Sequence, residues 1–207
     1  MKKILLFVAL AGICSGISAQ ELKTIQLNKP NTQRGLPVMQ ALEKRQSTRE
    51  YADKALSLQD LSDLLWAANG INRPESGKRT APSAMNKQEI DVYVCLPEGA
   101  YLYEAKTNSL KPVAKGDFRA AVGGGQAFVA KAPVCIVLVG NLDAFRGDAS
   151  MPAMDAGIVS QNISIFCAGT GLVTVPRASM DQAKLKSALK LKDSQRLFMN
   201  HPVGYAK

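Results

Sequence analysis

Helices and strands mix along the whole chain, with no internal repeat and no second domain, which predicts an α+β or three-layer α/β fold. Three observations carry that prediction. The runs Ile90–Leu96 and 134–139 are apolar and strand-length, the second suited to the centre of a sheet. Segments 57–70 and 155–168 carry helical punctuation around apolar faces. No Gly-x-Gly-x-x-Gly follows a strand, which leaves little support for a dinucleotide-binding fold.

The first nineteen residues stand apart from the fold. Lys2 and Lys3 open them, 4–14 are nearly all apolar, and small residues run from Ser15 to Ala19, with Ile17 and Ala19 where a signal peptidase reads. This is the pattern of a secretory signal peptide cut before Gln20. The apolar run is shorter than the roughly 20 residues of a membrane span. Ile13 stands before Cys14, where a lipoprotein site prefers a small residue. The expectation is a periplasmic or otherwise exported protein without a membrane anchor. Twin lysines rather than twin arginines imply export unfolded, so a cofactor would be acquired outside the cytoplasm. Removing nineteen of 207 residues leaves 188, one domain of ordinary size. Lys2 and Lys3 account for two of the nine net positive charges, leaving +7. That excess is scattered and not interleaved with aromatics, which argues against a nucleic-acid groove.

Residues 20–36 read as an irregular polar leader and 37–207 as a single domain. Pro37 starts a short helix whose apolar stripe is Val38, Met39 and Leu42, ending at Lys44. Ser57 caps the next helix, Asp60 and Asp63 put acid in its first turns, Leu61, Leu64, Leu65 and Ala68 form its buried face, and Gly70 ends it. Residues 71–88 read as a long polar loop, a feature that is functional when firm elements flank it. After the strand Ile90–Leu96, Pro97-Glu98-Gly99 turns the chain into a hairpin of 101–103 and 110–113, joined at Thr107-Asn108-Ser109. A helical period over 117–131 is broken by Gly123, Gly124 and Gly125. Helix 155–168 is apolar almost all round, as in a core or a subunit interface, and Gly169 and Gly171 end it. A short strand at 172–175, a helix at 181–189 begun by Asp181 and a terminal strand at 203–205 complete the chain.

The side chains offer no ready-made catalyst. His201 is the single histidine, read as a surface or packing residue, and no Gly-x-Ser-x-Gly elbow supplies it with partners. One histidine and three separated cysteines make no metal site. Cys95, Cys135 and Cys167 sit in apolar segments and read as buried free thiols, one disulfide being the alternative in an oxidising compartment. Asp143, Asp148 and Asp155 fix no paired-carboxylate geometry. The informative stretch is 43–51, which sets Lys44, Arg45 and Arg49 beside the hydroxyls of Ser47 and Thr48. Arginines offer planar, multi-donor contacts to phosphate, and the alternation of 45, 47 and 49 suits one face of an extended segment. A solvated charge cluster at a helix C-terminus explains the same residues equally well.

Arg45-Gln46-Ser47-Thr48-Arg49-Glu50-Tyr51 resembles the opening motif of the nitroreductase-like flavoproteins, typically Arg-Arg-Ser-x-Arg-x-Phe. Pro82-Ser83-Ala84-Met85-Asn86-Lys87-Gln88 resembles the second family motif, Pro-Ser-x-x-Asn-x-Gln. Ala-Lys-Ala-Pro-Val before the 134–139 strand, Asp155-Ala-Gly through Gln161-Asn162, Gly169-Thr-Gly-Leu and the ending Val203-Gly204-Tyr205-Ala206-Lys207 follow in the family's order, so the resemblance covers 37–207. It implies a central, mainly antiparallel sheet flanked by helices in three α/β/α layers. It also implies FMN as cofactor and a homodimer with FMN at the interface. Arg45, Gln46, Ser47 and Arg49 would surround the phosphate and ribityl chain. Pro82, Ser83, Ala84 and Asn86 would reach the flavin of the neighbouring subunit. Pro176, Arg177 and Ala178 would approach the reactive flavin edge, and Lys207 would complete the set of cofactor-binding residues. Gln46, Tyr51 and Ala206 depart from the family's usual Arg, Phe and Pro. Segment 91–113 resembles the branch of peptide thiazoline and oxazoline oxidases of the SagB type. The implied activity is flavin redox between a donor and a small organic acceptor (nitroaromatic-like, quinone-like or a peptide-derived ring), with no catalytic side chain and no metal. An exported flavin-binding protein without turnover is the alternative. NADH and NADPH are not expected outside the cytoplasm, so an envelope redox partner is the expected donor.

Overall fold

The structure, a computed structural model, describes residues 21–207, and the segment read as a signal peptide lies outside them. In chain order its elements are β1 (Ile25–Gln26), α1 (Val38–Lys44), α2 (Leu58–Asn69), β2 (Ile71–Arg73), β3 (Lys78–Arg79), β4 (Ile90–Leu96), β5 (Gly99–Glu104), β6 (Ser109–Lys115), α3 (Arg119–Gly123), β7 (Val134–Asn141), α4 (Ser150–Thr170), β8 (Leu172–Thr174), α5 (Gln182–Ala188) and β9 (Gln195–Tyr205). Seven strands form one sheet in the order β1-β6-β5-β4-β7-β9-β8, each neighbouring pair antiparallel.

The aliphatic runs of β4 and β7 occupy the middle of that sheet because both of their faces are covered. Val92, Val94, Leu96, Ile136 and Leu138 point to one side, where Leu61, Leu64, Leu65 and Ala68 of α2 and Ala156, Val159 and Ile163 of α4 pack on them. Tyr93, Cys95, Cys135, Val137 and Val139 point to the other, under Ala121 and Val122 of α3 and Leu185 of α5. The result is the three-layer α/β/α arrangement with a central antiparallel sheet. Leu64, Leu65 and Ile163 are fully buried, each contributing about 1.5–3 kcal/mol of apolar transfer free energy.

Local chemistry accounts for the element ends. Ser57 accepts from the Asp60 N–H and Asp181 accepts from the Lys184 N–H, both as N-caps. Four differences from the sequence reading have physical causes. The leader is not wholly irregular: β1 adds an edge strand beside β6, Leu27 is buried, and Arg34 pairs with Asp60 and Asp63. The 71–88 loop contains the small hairpin of β2 and β3. Helix α4 starts at Ser150, five residues before Asp155. Strand β9 has eleven residues rather than the three at 203–205. Arg196, Asn200, His201 and Pro202 hide the earlier part, since a proline argues against a central strand. Pro202 pairs with Cys135 all the same, and its carbonyl accepts the Thr174 hydroxyl at 2.9 Å.

Candidate functional site

The 45–51 segment lies extended along the outer edge of β8. Ser47 and Thr174 form a parallel bridge, and the Thr48 N–H donates to the Thr174 carbonyl at 2.9 Å. Four residues later the Ala52 N–H donates to the Tyr205 carbonyl of β9 at 3.0 Å. Tyr51 is buried between these ties and packs on Gly204, where an added Cβ would stand 3.0 Å from the Tyr51 ring and from Pro133. The segment is therefore held by its backbone, and its side chains are left for other work. Arg45, Gln46, Ser47 and Arg49 are exposed. Neither arginine is in an ion pair among the described residues.

A cleft of about 170 Å³ opens beside this segment, lined by Lys44, Gln46, Thr48, Thr174 and Ala206 together with Ser164, Cys167 and Ala168 from the C-terminal half of α4. Lys207 follows Ala206 at the rim and is exposed. A larger cleft of about 620 Å³ sits at the opposite edge of the sheet, around Leu22, Tyr101 and Gly116. Its charges are mixed, with Glu21 and Glu98 beside Lys23 and Lys115, so it lacks the cationic bias of the smaller one. The site is assigned on this chemistry rather than on size.

Arg177 is buried, and its guanidinium donates to the Val122 carbonyl at 3.1 Å, the Gly123 carbonyl at 2.8 Å and Asn200 Oδ1 at 2.7 Å. Its backbone N–H and carbonyl pair with Asn200. Burial and then the charge of Arg49 hold the Arg177 guanidinium below its ordinary pKa, and no carboxylate pairs with it among the described residues. The structure thus brings Arg45, Gln46, Ser47, Arg49, Pro176, Arg177 and Lys207 to one end of the sheet. Arg177 stands there as a fixed internal cation whose side chain is spent on protein groups.

The second motif lies elsewhere. Ser83 Oγ accepts the Gln88 N–H at 2.9 Å, Ala84 N–H donates to Asp155 Oδ2 at 2.8 Å, and Asn86 Oδ1 accepts Gln88 Nε2 at 3.2 Å. Met85, Asn86 and Gln88 have φ of 53°, 53° and 52°, the left-handed region that non-glycine residues rarely adopt. Pro82, Met85 and Asn86 face solvent. Asp155 and Cys167 mark the two motifs along α4, and twelve residues at 1.5 Å each separate them by about 18 Å. One chain therefore does not bring Pro82, Ser83, Ala84 and Asn86 to the cationic segment.

Of the two readings of His201, surface or packing, the structure shows packing. The side chain is fully buried, with Nε2 at 2.7 Å from Ser160 Oγ and Nδ1 at 3.2 Å from Thr174 Oγ1. Burial pushes its pKa down to about 3, so the ring is neutral. The Ser160–His201–Thr174 chain is sealed from solvent and braces β8, the strand on which the 45–49 segment rests. No local signal in the sequence announces Thr174 or Ser160. The three described cysteines are free and buried, and burial pushes the Cys95 thiol up to about 12. No group of three or more His, Cys, Asp or Glu suited to a metal occurs among the described residues. No helix among them is long and apolar enough to cross a membrane.

The nitroreductase family model matches residues 42–205. A Methanocaldococcus jannaschii protein named as a nitroreductase is 29% identical over 195 residues, spanning 87% of this chain and 96% of its own. A Ralstonia eutropha crystal structure, also named as a nitroreductase, superposes with a TM-score of 0.82 at 35% identity, covering 89% of this chain and 90% of that one. A chain of the Escherichia coli microcin synthetase complex, solved with a truncated precursor peptide, shares the fold at a TM-score of 0.68 and 19% identity, over 98% of this chain and 85% of that one.

Proposed function

The chain belongs to the nitroreductase family and is an oxidoreductase of that type, and from that premise we propose that Arg45, Ser47 and Arg49 form the phosphate anchor of a bound FMN. The observation that carries the proposal is the backbone-held row of exposed cations and hydroxyls along the edge of β8, its arginines unpaired with carboxylate among the described residues, beside a cleft that the alternate residues Lys44, Gln46 and Thr48 line. Those donors fit a phosphate. The flavin supplies the two-electron redox chemistry when bound. The chain's own residues bind, orient and exclude. Arg45 and Arg49 take the phosphate charge, Ser47 and Gln46 add short polar contacts, and Lys207 closes the rim. Arg177 puts a fixed positive charge behind Pro176 and Ala178.

We further propose a homodimer with the cofactor at its interface. The separation of the two motifs along α4 supports it, because a second copy can bring Pro82, Ser83, Ala84 and Asn86 to the anchor of the first. Val38, Met39 and Leu42 of α1 and Met151, Met154 and Ile158 of α4 are exposed apolar side chains that a partner would cover. The proposed acceptor is a small organic molecule. The fold shared with a microcin synthetase chain, together with the 91–113 segment, favours a peptide-derived ring of the thiazoline or oxazoline type. The proposed location is outside the cytoplasm after cleavage before Gln20, with an envelope redox partner as donor.

The test is anaerobic: the mature protein is loaded with FMN and its visible spectrum is followed while donors and acceptors are added. Turnover above that of free FMN is expected. Flavin uptake without acceptor-dependent reoxidation would support the non-turnover binding protein instead. Rapid bleaching by NADPH at micromolar affinity would overturn the envelope donor. N-terminal sequencing of the secreted protein checks the cleavage site.

A further inference from the structure

We infer that Glu89 and Asp155 are positioning residues that share one proton and so hold the 82–88 loop from beneath, giving the loop a pH-dependent grip on whatever it contacts. The part of this inference that concerns cofactor rests on the FMN reading above; the part that concerns the loop does not.

Both carboxylates are buried, Glu89 at 6% exposure and Asp155 at 5%. Buried carboxylates ordinarily have partners. Asp155 has one, the Ala84 N–H at 2.8 Å. Glu89 has neither oxygen satisfied by an ordinary donor among the described residues. The group beside it is the Asp155 carboxyl, which lines one small pocket together with Gln88 and Ile90, the chain neighbours of Glu89. Two carboxylates in one dry site cannot both ionise cheaply. A single proton resolves the conflict. Carried by Glu89, it makes Glu89 a donor to Asp155, and Asp155 remains the acceptor for Ala84. The order Glu89 to Asp155 to Ala84 then gives each of the three groups a partner, with one Glu89 oxygen left as the remaining unsatisfied atom.

The loop needs such a hold. Three of its residues are in the left-handed region, and Met85, the bulkiest of them, is 79% exposed and gains little from packing. Conformations of this kind persist only where the surroundings over-determine them. The other ties are side-chain hydrogen bonds as well: Ser83 to the Gln88 N–H, and Gln88 to Arg79 and the Gly77 carbonyl. The charged groups around Glu89 are few. From α4 there is Asp155. From the β2–β3 hairpin there is Arg79, whose guanidinium is spent on Gln88, at 3.0 Å, and on the Asn69 carbonyl, at 3.0 Å. From β7, Asn141 gives its N–H to the Glu89 carbonyl, not to the carboxyl. Ionising Glu89 therefore adds a negative charge beside Asp155, and neither carboxylate is in an ion pair among the described residues.

Burial first, and Asp155 after it, raise the Glu89 carboxyl from its ordinary 4.5 to about 7. The sign follows. The unfolded chain ionises Glu89 near its ordinary value, so the stabilisation is whole below pH 4.5 and is lost as pH climbs through about 7. The loop should loosen across neutrality, without any change in the cationic segment at 45–49.

The experiment is hydrogen exchange of the 82–88 segment in the mature protein at pH 6 and pH 8.5, corrected for intrinsic exchange, before and after addition of FMN. The wild type should lose protection at least fivefold at the higher pH. Glu89→Gln, whose amide donates to Asp155 as the acid does, should keep its pH 6 protection at pH 8.5. Asp155→Asn, which still accepts from Ala84 without repelling Glu89, should also lose the pH dependence, and it stands in if Glu89→Gln does not fold. Wild-type protection that is flat with pH, or a Glu89→Gln variant that follows the wild type, overturns the inference. With FMN present, the wild-type dissociation constant should rise severalfold over the same interval and stay flat in Glu89→Gln. If FMN binds to no form while the exchange pattern holds, the flavin reading fails and the loop device stands.

Discussion

The two motif segments are held by opposite means. Residues 45–51 are tied by main chain to main chain, through Thr174 of β8 and Tyr205 of β9. Residues 82–88 are tied by side chains, through Asp155, Ser83, Gln88 and Arg79. Segments held by backbone tolerate side-chain replacement, because the pairing does not depend on residue identity beyond proline. Segments held by side chains move when a single support is lost. The first arrangement suits residues that must face a ligand; the second suits a loop that must be strained and adjustable.

Acid should break the contrast most severely, since it attacks the frame behind the backbone-held segment. His201 is neutral and buried with a pKa near 3, against 6.5 when unfolded. A group whose folded pKa is depressed below its unfolded value favours unfolding by proton uptake in between. The stability it protects is whole above pH 6.5 and is lost as pH falls toward 3, a loss on the order of 4–5 kcal/mol at most. Urea unfolding of wild type and His201→Gln across that interval should show the variant losing less on acidification; equal slopes would remove His201 from the account.

Next in size is the double substitution Arg45→Ala with Arg49→Ala. Two charge-assisted contacts are lost, so FMN affinity should fall by roughly 100- to 1,000-fold while unfolding free energy moves by less than about 0.5 kcal/mol. Unchanged flavin affinity would return the segment to a solvated charge cluster. Ser83→Ala, on the side-chain-held loop, should behave in reverse. It removes the acceptor of the Gln88 N–H and should cost about 1 kcal/mol of stability in chemical denaturation, with flavin binding weakened only through the loop. The smallest effect is expected for Gln46→Arg, which restores the charge the family motif usually carries. FMN should bind about two- to fivefold more tightly, in keeping with an exposed ion pair, and the gain should vanish at high salt.

Much of the fold was legible because periodicity and punctuation are local. Ser57, Asp60 and Gly70 bound a helix whose buried face is the one its spacing requires, and 134–139 lies at the sheet centre as its unbroken aliphatic run demands. Less was legible where two tendencies conflict. Pro202 and His201 in β9 are poor strand residues locally, yet pairing with β7 on one side and β8 on the other overrides them. The stripe of Val38, Met39 and Leu42 is a real helix stripe, but it is exposed in the single chain, so periodicity there marks a surface rather than a core.

The residue order alone determined the layered α/β class, the position of the motif segments and the chemistry of the cationic row, since composition, spacing and propensity act over a few neighbouring residues. Tertiary structure decided the rest. That Asp155 meets Glu89 across 66 positions, that His201 sits sealed between Ser160 and Thr174, and that Arg177 spends its donors on Val122, Gly123 and Asn200 are facts of burial and long-range contact. A titratable side chain acquires its working state from what surrounds it, and only the folded chain supplies those surroundings.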